Sequence, residues 1–157
     1  MPAATPAPVR TTAIDHLNLT VNSFDETAAW YERVFGFRVV EKDTQDGQPW
    51  GVLRSENGEG SAMLCIYQSP GRDFLDRFAL RDRKLHGLAH LALRIHDEAD
   101  WLKVVEHEQI KVLYNGVIEW PHSKSWYICD PTGYEIEVVL WHDEQVAFSP
   151  VKQASPY

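Results

Sequence analysis

Apolar and polar residues follow the same order in two halves of the chain. Residues 13–21 (AIDHLNLTV) and 88–95 (LAHLALRI) alternate with the period of two that is typical of a strand with one buried face. Residues 23–37 (SFDETAAWYERVFGF) and 97–109 (DEADWLKVVEHEQ) follow them, and their apolar residues recur with the period of a helix. Each half therefore begins with a predicted strand and a predicted helix.

Three further strand-like runs follow each helix, and turn-prone residues such as TQDGQP separate them. In the first half they read FRVVEKD, WGVLRSE and SAMLCIYQ, and in the second KVLYNGV, SWYICD and YEIEVVLW. A half-exposed sheet needs a second layer to complete a core. The pattern predicts an α+β fold, in which two βαβββ modules form a shared concave mixed β-sheet with helices outside.

This repeat also divides the chain into segments. The predicted segments are a flexible N-terminal arm (1–12), a first βαβββ module (13–68), an inter-module connection (69–87), a second βαβββ module (88–141) and a C-terminal tail (142–157), with one domain over 13–141. Phe74, Leu75 and Phe78 have helical spacing, which indicates a short helix within the connection.

The charge and the composition disfavour several classes of partner. The chain has 157 residues, a net charge of −8 and a pI near 5.3, which argues against nucleic acid and anionic membrane surfaces. The Ala/Pro-rich start lacks the apolar core of a signal peptide, and no apolar run approaches the roughly 18 residues of a membrane span. We therefore expect a cytoplasmic protein that acts on a small-molecule substrate.

Three side chains of the metal-ligand type occupy related places in the repeat. His16 and His90 lie 74 positions apart in the two first strands, and Glu137 lies in the otherwise apolar run 136–141. A buried carboxylate needs a hydrogen-bond network, a basic partner or a cation. Each histidine alone is a common strand residue, but two histidines and one carboxylate together are a typical ligand set for non-haem Fe²⁺. We predict a metal site at His16, His90 and Glu137.

The chain resembles the vicinal oxygen chelate superfamily, which includes glyoxalase I, extradiol dioxygenases, fosfomycin thiol transferases and bleomycin-resistance proteins. The resemblance rests on DHLNLTV…AAWYERVFGF in the first half, and on AHLALRI and YICDPTGYEIEVV in the second. It implies that a divalent metal binds His16, His90 and Glu137, with Glu135 as the alternative carboxylate. It also implies a homodimer, in which the metal site lies within one chain or is shared by two.

The departures from each branch of the superfamily select among activities. The position that matches the fourth ligand of glyoxalases is predicted to be Leu64, and 61–68 contains no carboxylate. Lys124 is the only lysine or arginine in 118–141, whereas a phosphonate needs clustered cations. The extradiol branch fits best.

In that branch, Tyr127 matches the tyrosine that hydrogen-bonds the metal-bound substrate, and His122 is the candidate acid–base group. The expected activity is an Fe²⁺-dependent dioxygenase that acts on a vicinal-diol aromatic, with Mn²⁺, Ni²⁺ and Zn²⁺ as alternative metals. The alternative functions are a lyase or thiol transferase on the same site, and a non-catalytic resistance protein that binds a small molecule.

Overall fold

The computed structural model of the chain describes residues 14–56 and 62–143. The predicted arm at 1–12, residues 13 and 57–61, and residues 144–157 of the predicted tail lie outside the described residues. The elements are β1 (Leu17–Val21), α1 (Phe24–Phe35), β2 (Phe37–Gln45), β3 (Gln48–Ser55), β4 (Met63–Gln68), α2 (Arg77–Asp82), β5 (Leu91–Ile95), α3 (Glu98–His107), β6 (Ile118–Glu119), β7 (Ser123–Cys129) and β8 (Glu135–Trp141).

The two halves have the same strand topology. The first sheet has the order β1-β4-β3-β2, and the second has the order β5-β8-β7-β6. In each sheet the first and last strands of the module pair in parallel, and the other neighbours pair antiparallel. This topology confirms the predicted α+β fold with two βαβββ modules. Within the described residues, β1 and β5 each lie at one edge of their own sheet.

Helix α1 shows why the sequence forms these elements. Ser23 is its N-cap, and the Ser23 side chain accepts a hydrogen bond from the Glu26 backbone N–H. Gly36 ends the helix in the left-handed conformation, with φ of 70°, which glycine adopts without a steric penalty. The residues that α1 buries recur at helical spacing: Phe24, Thr27, Ala28, Tyr31 and Val34.

The two modules share one hydrophobic core. The rings of Phe35 in α1 and Trp101 in α3 stack with their centroids 5.9 Å apart, and Trp101 also meets Trp126 of β7 edge-to-face. Buried residues from both sheets belong to the same cluster. Aromatic contacts of this kind contribute roughly 0.5–1.5 kcal/mol beyond the buried area. This core positions the second sheet, which carries the candidate site.

One predicted strand is wrong. The run KVLYNGV (111–117) forms a turn, and the strand begins only at Ile118. Three consecutive residues, Tyr114, Asn115 and Gly116, have positive φ, a conformation that no strand residue adopts. The backbone N–H of Leu113 still donates a hydrogen bond to the carbonyl of Tyr127. The apolar residues of this run therefore pack as a loop beside β7.

The register of the parallel pairs corrects a second prediction. Ala92 pairs with Glu137 in the second module, and Asn18 pairs with Cys65 in the first. The repeat therefore places Cys65, and not Leu64, at the position that corresponds to Glu137. Leu64 is buried in the core. The conclusion that no carboxylate occupies this place is unaffected, because a thiol stands there.

No helix within 14–56 and 62–143 is long and apolar enough to cross a membrane. The cytoplasmic location stays a prediction.

Candidate metal centre

Strand β8 places two carboxylates on one face of the second sheet. Glu135 and Glu137 are two residues apart, so both side chains point to the same side. The neighbours of Glu137 in register are Tyr127 on β7 and Ala92 on β5. Parts of three strands line this face. The side chain of Glu135 is 1% exposed and is more deeply buried than that of Glu137, which is 17% exposed.

His90 and Glu137 form the centre of the site. His90 is the residue immediately before β5, and its Nε2 lies 3.1 Å from Oε2 of Glu137. Two ligands bound at roughly 2.1 Å to one ion, at about a right angle, are about 3.0 Å apart. The 3.1 Å separation is that of a hydrogen bond from the ring nitrogen to the carboxylate, and the same two atoms could bind one divalent ion once Nε2 has lost its proton. An imidazole and a carboxylate are suitable donors for iron, manganese and zinc.

Glu137 is held in the charged form by its neighbours. The Ser125 hydroxyl donates a 2.6 Å hydrogen bond to Oε1 of Glu137. Burial alone would raise the pKa of Glu137, but hydrogen bonds from His90, Ser125 and Tyr127, together with the charge of His90, lower it below its ordinary value. The carboxylate is therefore ready to bind a cation without first losing a proton.

Glu135 lies on the other side of the His90 ring. Its Oε1 is 3.8 Å from Nδ1 of His90 and 3.7 Å from Nε of Arg77 in α2. The Tyr114 hydroxyl donates a 2.6 Å hydrogen bond to its Oε2. A carboxylate beside the non-ligating nitrogen of a histidine commonly orients that ring toward a metal. His90 thus lies between two carboxylates.

His16 is not brought to this pair. The sequence predicted both histidines within their strands. His16, like His90, lies instead one residue before its strand. Its side chain is 44% exposed, and its Nδ1 lies 2.7 Å from Asp15. Among the described residues, no three His, Cys, Asp or Glu side chains are close enough to hold one ion. One chain therefore supplies two of the three predicted ligands at one place.

The two predicted catalytic residues lie in different places. Tyr127 is 3% exposed, and its ring centroid is 5.6 Å from that of His90, so it lies beside the pair. His122 stacks on Trp141, with the ring centroids 4.9 Å apart. His122 precedes β7 and is five positions from Tyr127, which corresponds to roughly 16 Å along a strand. The structure thus places Tyr127, but not His122, next to the pair.

Three residues at the site were missed from the sequence. Ser125 shares a face with Tyr127, so the period of two could have identified it. Tyr114 follows from no periodicity, because it lies in the loop that was predicted as a strand. Arg77 comes from the inter-module connection. Its guanidinium adds a cation to the site, whereas the run 118–141 contains only one lysine or arginine, Lys124.

Two repeated βαβββ modules, each with a four-stranded sheet of the same strand order, define an α+β protein with paired modules. A family model described as "Glyoxalase/Bleomycin resistance protein/Dioxygenase superfamily" matches residues 13–138. The chain belongs to this superfamily, as its resemblance to the vicinal oxygen chelate proteins predicted. No curated protein matches it significantly.

Solved structures show the same fold at low sequence identity. A glyoxylase/bleomycin resistance protein/dioxygenase domain from Frankia sp. EAN1pec has a TM-score of 0.68 and 17% identity, covering 87% of this chain and 96% of that one. A glyoxalase family protein from Enterococcus faecalis has a TM-score of 0.62 and 21% identity, covering 81% and 96%. The fosfomycin resistance protein FosX from Listeria monocytogenes, complexed with Mn(II) and sulfate ion, has a TM-score of 0.59 and 14% identity, covering 83% and 93%.

Proposed function

We propose that this protein is a metal-dependent enzyme whose substrate binds the metal through two neighbouring oxygens, and that it is an extradiol-type dioxygenase with Fe²⁺. The observation that carries the proposal is the 3.1 Å approach of His90 Nε2 to Glu137 Oε2. Fe²⁺ bound by these two atoms would supply the site for a vicinal diol and for dioxygen.

The residues around the pair have distinct parts in this proposal. Ser125 fixes the orientation of the Glu137 carboxylate through its 2.6 Å hydrogen bond. In this proposal the buried Tyr127, whose hydroxyl hydrogen-bonds Glu137 when no substrate is bound, transfers that hydrogen bond to a substrate oxygen beside His90. Glu135 faces the Nδ1 side of His90, with Oε1 3.8 Å from Nδ1, so its charge favours a positive charge on the ring. His122, which is remote from the pair within this chain, keeps its acid–base role only as a prediction.

The third ligand in this proposal is His16 of a second copy. His16 is exposed beside the edge strand β1, and His90 adjoins the edge strand β5. An edge strand presents unpaired backbone groups and is a common place for association between chains. A homodimer in which β1 of one copy approaches β5 of the other would bring one His16 toward each pair of His90 and Glu137.

The test begins with anaerobic purification and measurement of the bound metal by mass spectrometry. A catechol panel is then added with and without oxygen, for the wild type, the Glu137→Gln variant and a Glu32→Gln control on the exposed face of α1. We expect near-stoichiometric iron and oxygen-dependent ring-cleavage absorbance, lost only in Glu137→Gln. An empty site with a bound small molecule would instead identify a non-catalytic binding protein.

A second candidate is a lyase or thiol transferase that uses Mn²⁺, Ni²⁺ or Zn²⁺ on the same pair. Arg77 favours it, because its guanidinium lies 3.7 Å from Glu135 and offers the cation that an anionic substrate needs near the metal. This candidate predicts turnover in the absence of oxygen. The dioxygenase predicts none, so the two are separated by adding an α-oxoaldehyde with a thiol, and an epoxide with a thiol, to the anaerobic arm of the experiment.

A further inference from the structure

We propose that the sheet face that carries His90 and Glu137 continues into an anion-binding subsite at Arg94, and that the substrate has a carboxylate that binds there. The second part rests on the proposed function. Arg94 lies in β5 and pairs in register with Val139 of β8, two residues beyond the pair of Ala92 and Glu137. Because alternate residues of a strand share a face, Arg94 and Glu137 lie on the same side of the second sheet.

The subsite lies on the Nε2 side of the His90 ring. Nδ1 of His90 faces Glu135, at 3.8 Å, whereas Nε2 faces Glu137, at 3.1 Å. The line from Nδ1 to Nε2 therefore follows β8 toward its end, and the next residues of β8 on this face are Val139 and Trp141. A ligand with oxygens beside Nε2 and Glu137 thus extends along this face, away from the buried Glu135.

The guanidinium of Arg94 is available to a ligand. It lies over the Trp141 ring, 5.6 Å from the ring centroid, and Arg94 is exposed. Stacking uses the flat face of a guanidinium and leaves the N–H donors at its edge, two of which match the two oxygens of a carboxylate. Within 14–56 and 62–143, Arg94 forms no ion pair and no hydrogen bond, although the net charge of the chain is −8. An anion is therefore attracted to this point of an otherwise acidic protein.

Trp141 fixes the position of the guanidinium. His122, which precedes β7, stacks on the Trp141 ring with the ring centroids 4.9 Å apart, so the ring has support from a neighbouring strand. A guanidinium that already packs on an aromatic ring loses less conformational freedom when it binds an anion. His122 and Trp141 are therefore positioning residues of the subsite, although His122 is remote from His90.

The spacing along β8 determines the length of the ligand. Trp141 is four residues beyond Glu137, which corresponds to roughly 13 Å along a strand. A carboxylate bonded directly to a diol ring is short for this separation, and each carbon–carbon bond of about 1.5 Å in a side chain lengthens the ligand. The ligand that fits this spacing best is an aromatic ring with its carboxylate on a short side chain.

The sheet leaves space for such a ligand. Val139 is the only residue of β8 between Glu137 and Trp141 on this face, and it is not part of the core cluster. Ala92 and Arg94 also line an open groove of about 600 Å³ along β5, which is an edge strand among the described residues. A ligand beside Glu137 therefore has an open path along β5 to Arg94.

The test of the subsite uses the full chain without metal, so it is independent of any reaction. Phenylpropanoate and its neutral analogue phenylpropanamide are titrated and followed by NMR shifts of the Arg94 amide and the Trp141 indole N–H. We expect saturable phenylpropanoate binding that is at least about tenfold tighter than phenylpropanamide binding and weakens with added salt. Equal binding of the two probes, no phenylpropanoate binding, or shifts confined to other residues overturns the subsite.

Variants locate the binding. Arg94→Gln should weaken phenylpropanoate binding about tenfold and leave phenylpropanamide binding unchanged, whereas a purely structural role would affect both probes equally. Arg94→Lys should restore part of the preference, because it keeps the charge but not the paired donors. The control Arg83→Gln removes the same charge at the end of α2 and should bind like the wild type. Thermal unfolding checks the fold of each variant. Equal phenylpropanoate binding by Arg94→Gln and Arg83→Gln overturns the proposal.

Turnover then connects the subsite to the substrate. In the metal-loaded wild type, 3,4-dihydroxyphenylpropanoate should have a lower KM than its amide. Arg94→Gln should make the two KM values equal and retain kcat, because Arg94 does not contact the reacting oxygens. Equal KM values in the wild type would overturn the substrate class. Catechol cleavage without phenylpropanoate binding refutes the subsite alone, and phenylpropanoate binding without turnover of any diol refutes the proposed function alone.

Discussion

Tyr31 of the first module donates a buried hydrogen bond of 3.3 Å to Oδ2 of Asp130 in the second, across 99 positions of the chain. The other carboxylate oxygen of Asp130 accepts hydrogen bonds from three backbone N–H groups of the following turn, those of Thr132, Gly133 and Tyr134. One side chain therefore connects α1 to the turn that begins β8, where Glu135 and Glu137 lie.

Asp130 gives the stability of the fold a predictable pH dependence. Its pKa is raised, because burial outweighs the hydrogen bonds that stabilise the charge. A raised folded-state pKa means that the stabilising contribution is complete below the unfolded pKa of about 3.9 and is lost as the pH rises through the folded value. Asp130→Asn keeps an oxygen for the backbone donors and removes the charge.

We therefore expect Asp130→Asn to gain stability over the wild type at pH 7, because only the wild type must ionise a buried carboxyl group as the pH rises. The gain should shrink as the pH falls toward about 4. Thermal unfolding across this range measures it, with Asp46→Asn at an exposed turn as the control. A gain that does not change with pH would contradict this account.

Tyr114 stabilises a carboxylate that the fold has buried. Its hydroxyl donates to Oε2 of Glu135, and Oε1 of Glu135 has no hydrogen-bond partner among the described residues. Tyr114→Phe keeps the ring contacts but removes this donor. We expect a loss of about 2 kcal/mol in the free energy of unfolding, because the buried carboxyl group of Glu135 loses its hydrogen-bond donor.

Urea denaturation measures this loss, and Tyr67→Phe is the matched control. The Tyr67 hydroxyl makes a long 3.5 Å hydrogen bond to the carbonyl of Gln45 in an exposed position. Its removal should change the free energy of unfolding by less than about 0.5 kcal/mol. Equal effects of the two variants would show that Glu135 does not depend on Tyr114.

Much of the fold could be predicted from the sequence, because local periodicity determines it. The helical stripe of α1, its Ser23 cap and the Gly36 stop are all local signals. The alternation of β8 placed Glu137 on one face with Glu135. The wrong strand prediction at 111–117 also has a local cause. The β-branched and aromatic residues of this run are typical of a strand, but consecutive residues with positive φ form a turn there.

The surroundings of the site could not be predicted in the same way. Arg77 and Tyr114 reach Glu135 through tertiary packing of a connection and a loop, which have no period. The sequence favoured Glu137 over Glu135 as the metal ligand, because Glu135 adjoins the turn. Glu135 is nevertheless the more deeply buried of the two. The separation of His16 from His90 depends on how the modules pack, which no local pattern encodes.

Glu137→Gln should lose metal affinity without losing the fold. The amide retains an oxygen for the Ser125 hydroxyl but lacks the charge that attracts a cation. We expect the Kd for Mn²⁺ to rise at least about tenfold, the low end of what altered metal surroundings cost. Titration calorimetry measures the affinity, and circular dichroism checks the fold. Unchanged Mn²⁺ binding would show that Glu137 is not a ligand.

Mixing two inactive variants tests whether the site is shared between copies. His16→Ala and Glu137→Gln remove ligands from different modules, so a dimer of one chain of each would contain one intact shared site. Random pairing should restore about one quarter of the wild-type metal sites after the mixture is unfolded and refolded together.

A mixture of His90→Ala and Glu137→Gln is the control for this experiment, because both ligands come from the same module and no pairing restores them. Metal bound per chain and catechol turnover are measured for each mixture. Restoration only in the first mixture requires that His16 acts on the partner's site, since a site within one chain would remain broken in every dimer. If neither mixture recovers metal while each wild-type chain binds one ion, the three ligands must instead meet within a single chain, through a rearrangement that moves His16 from its exposed place beside Asp15.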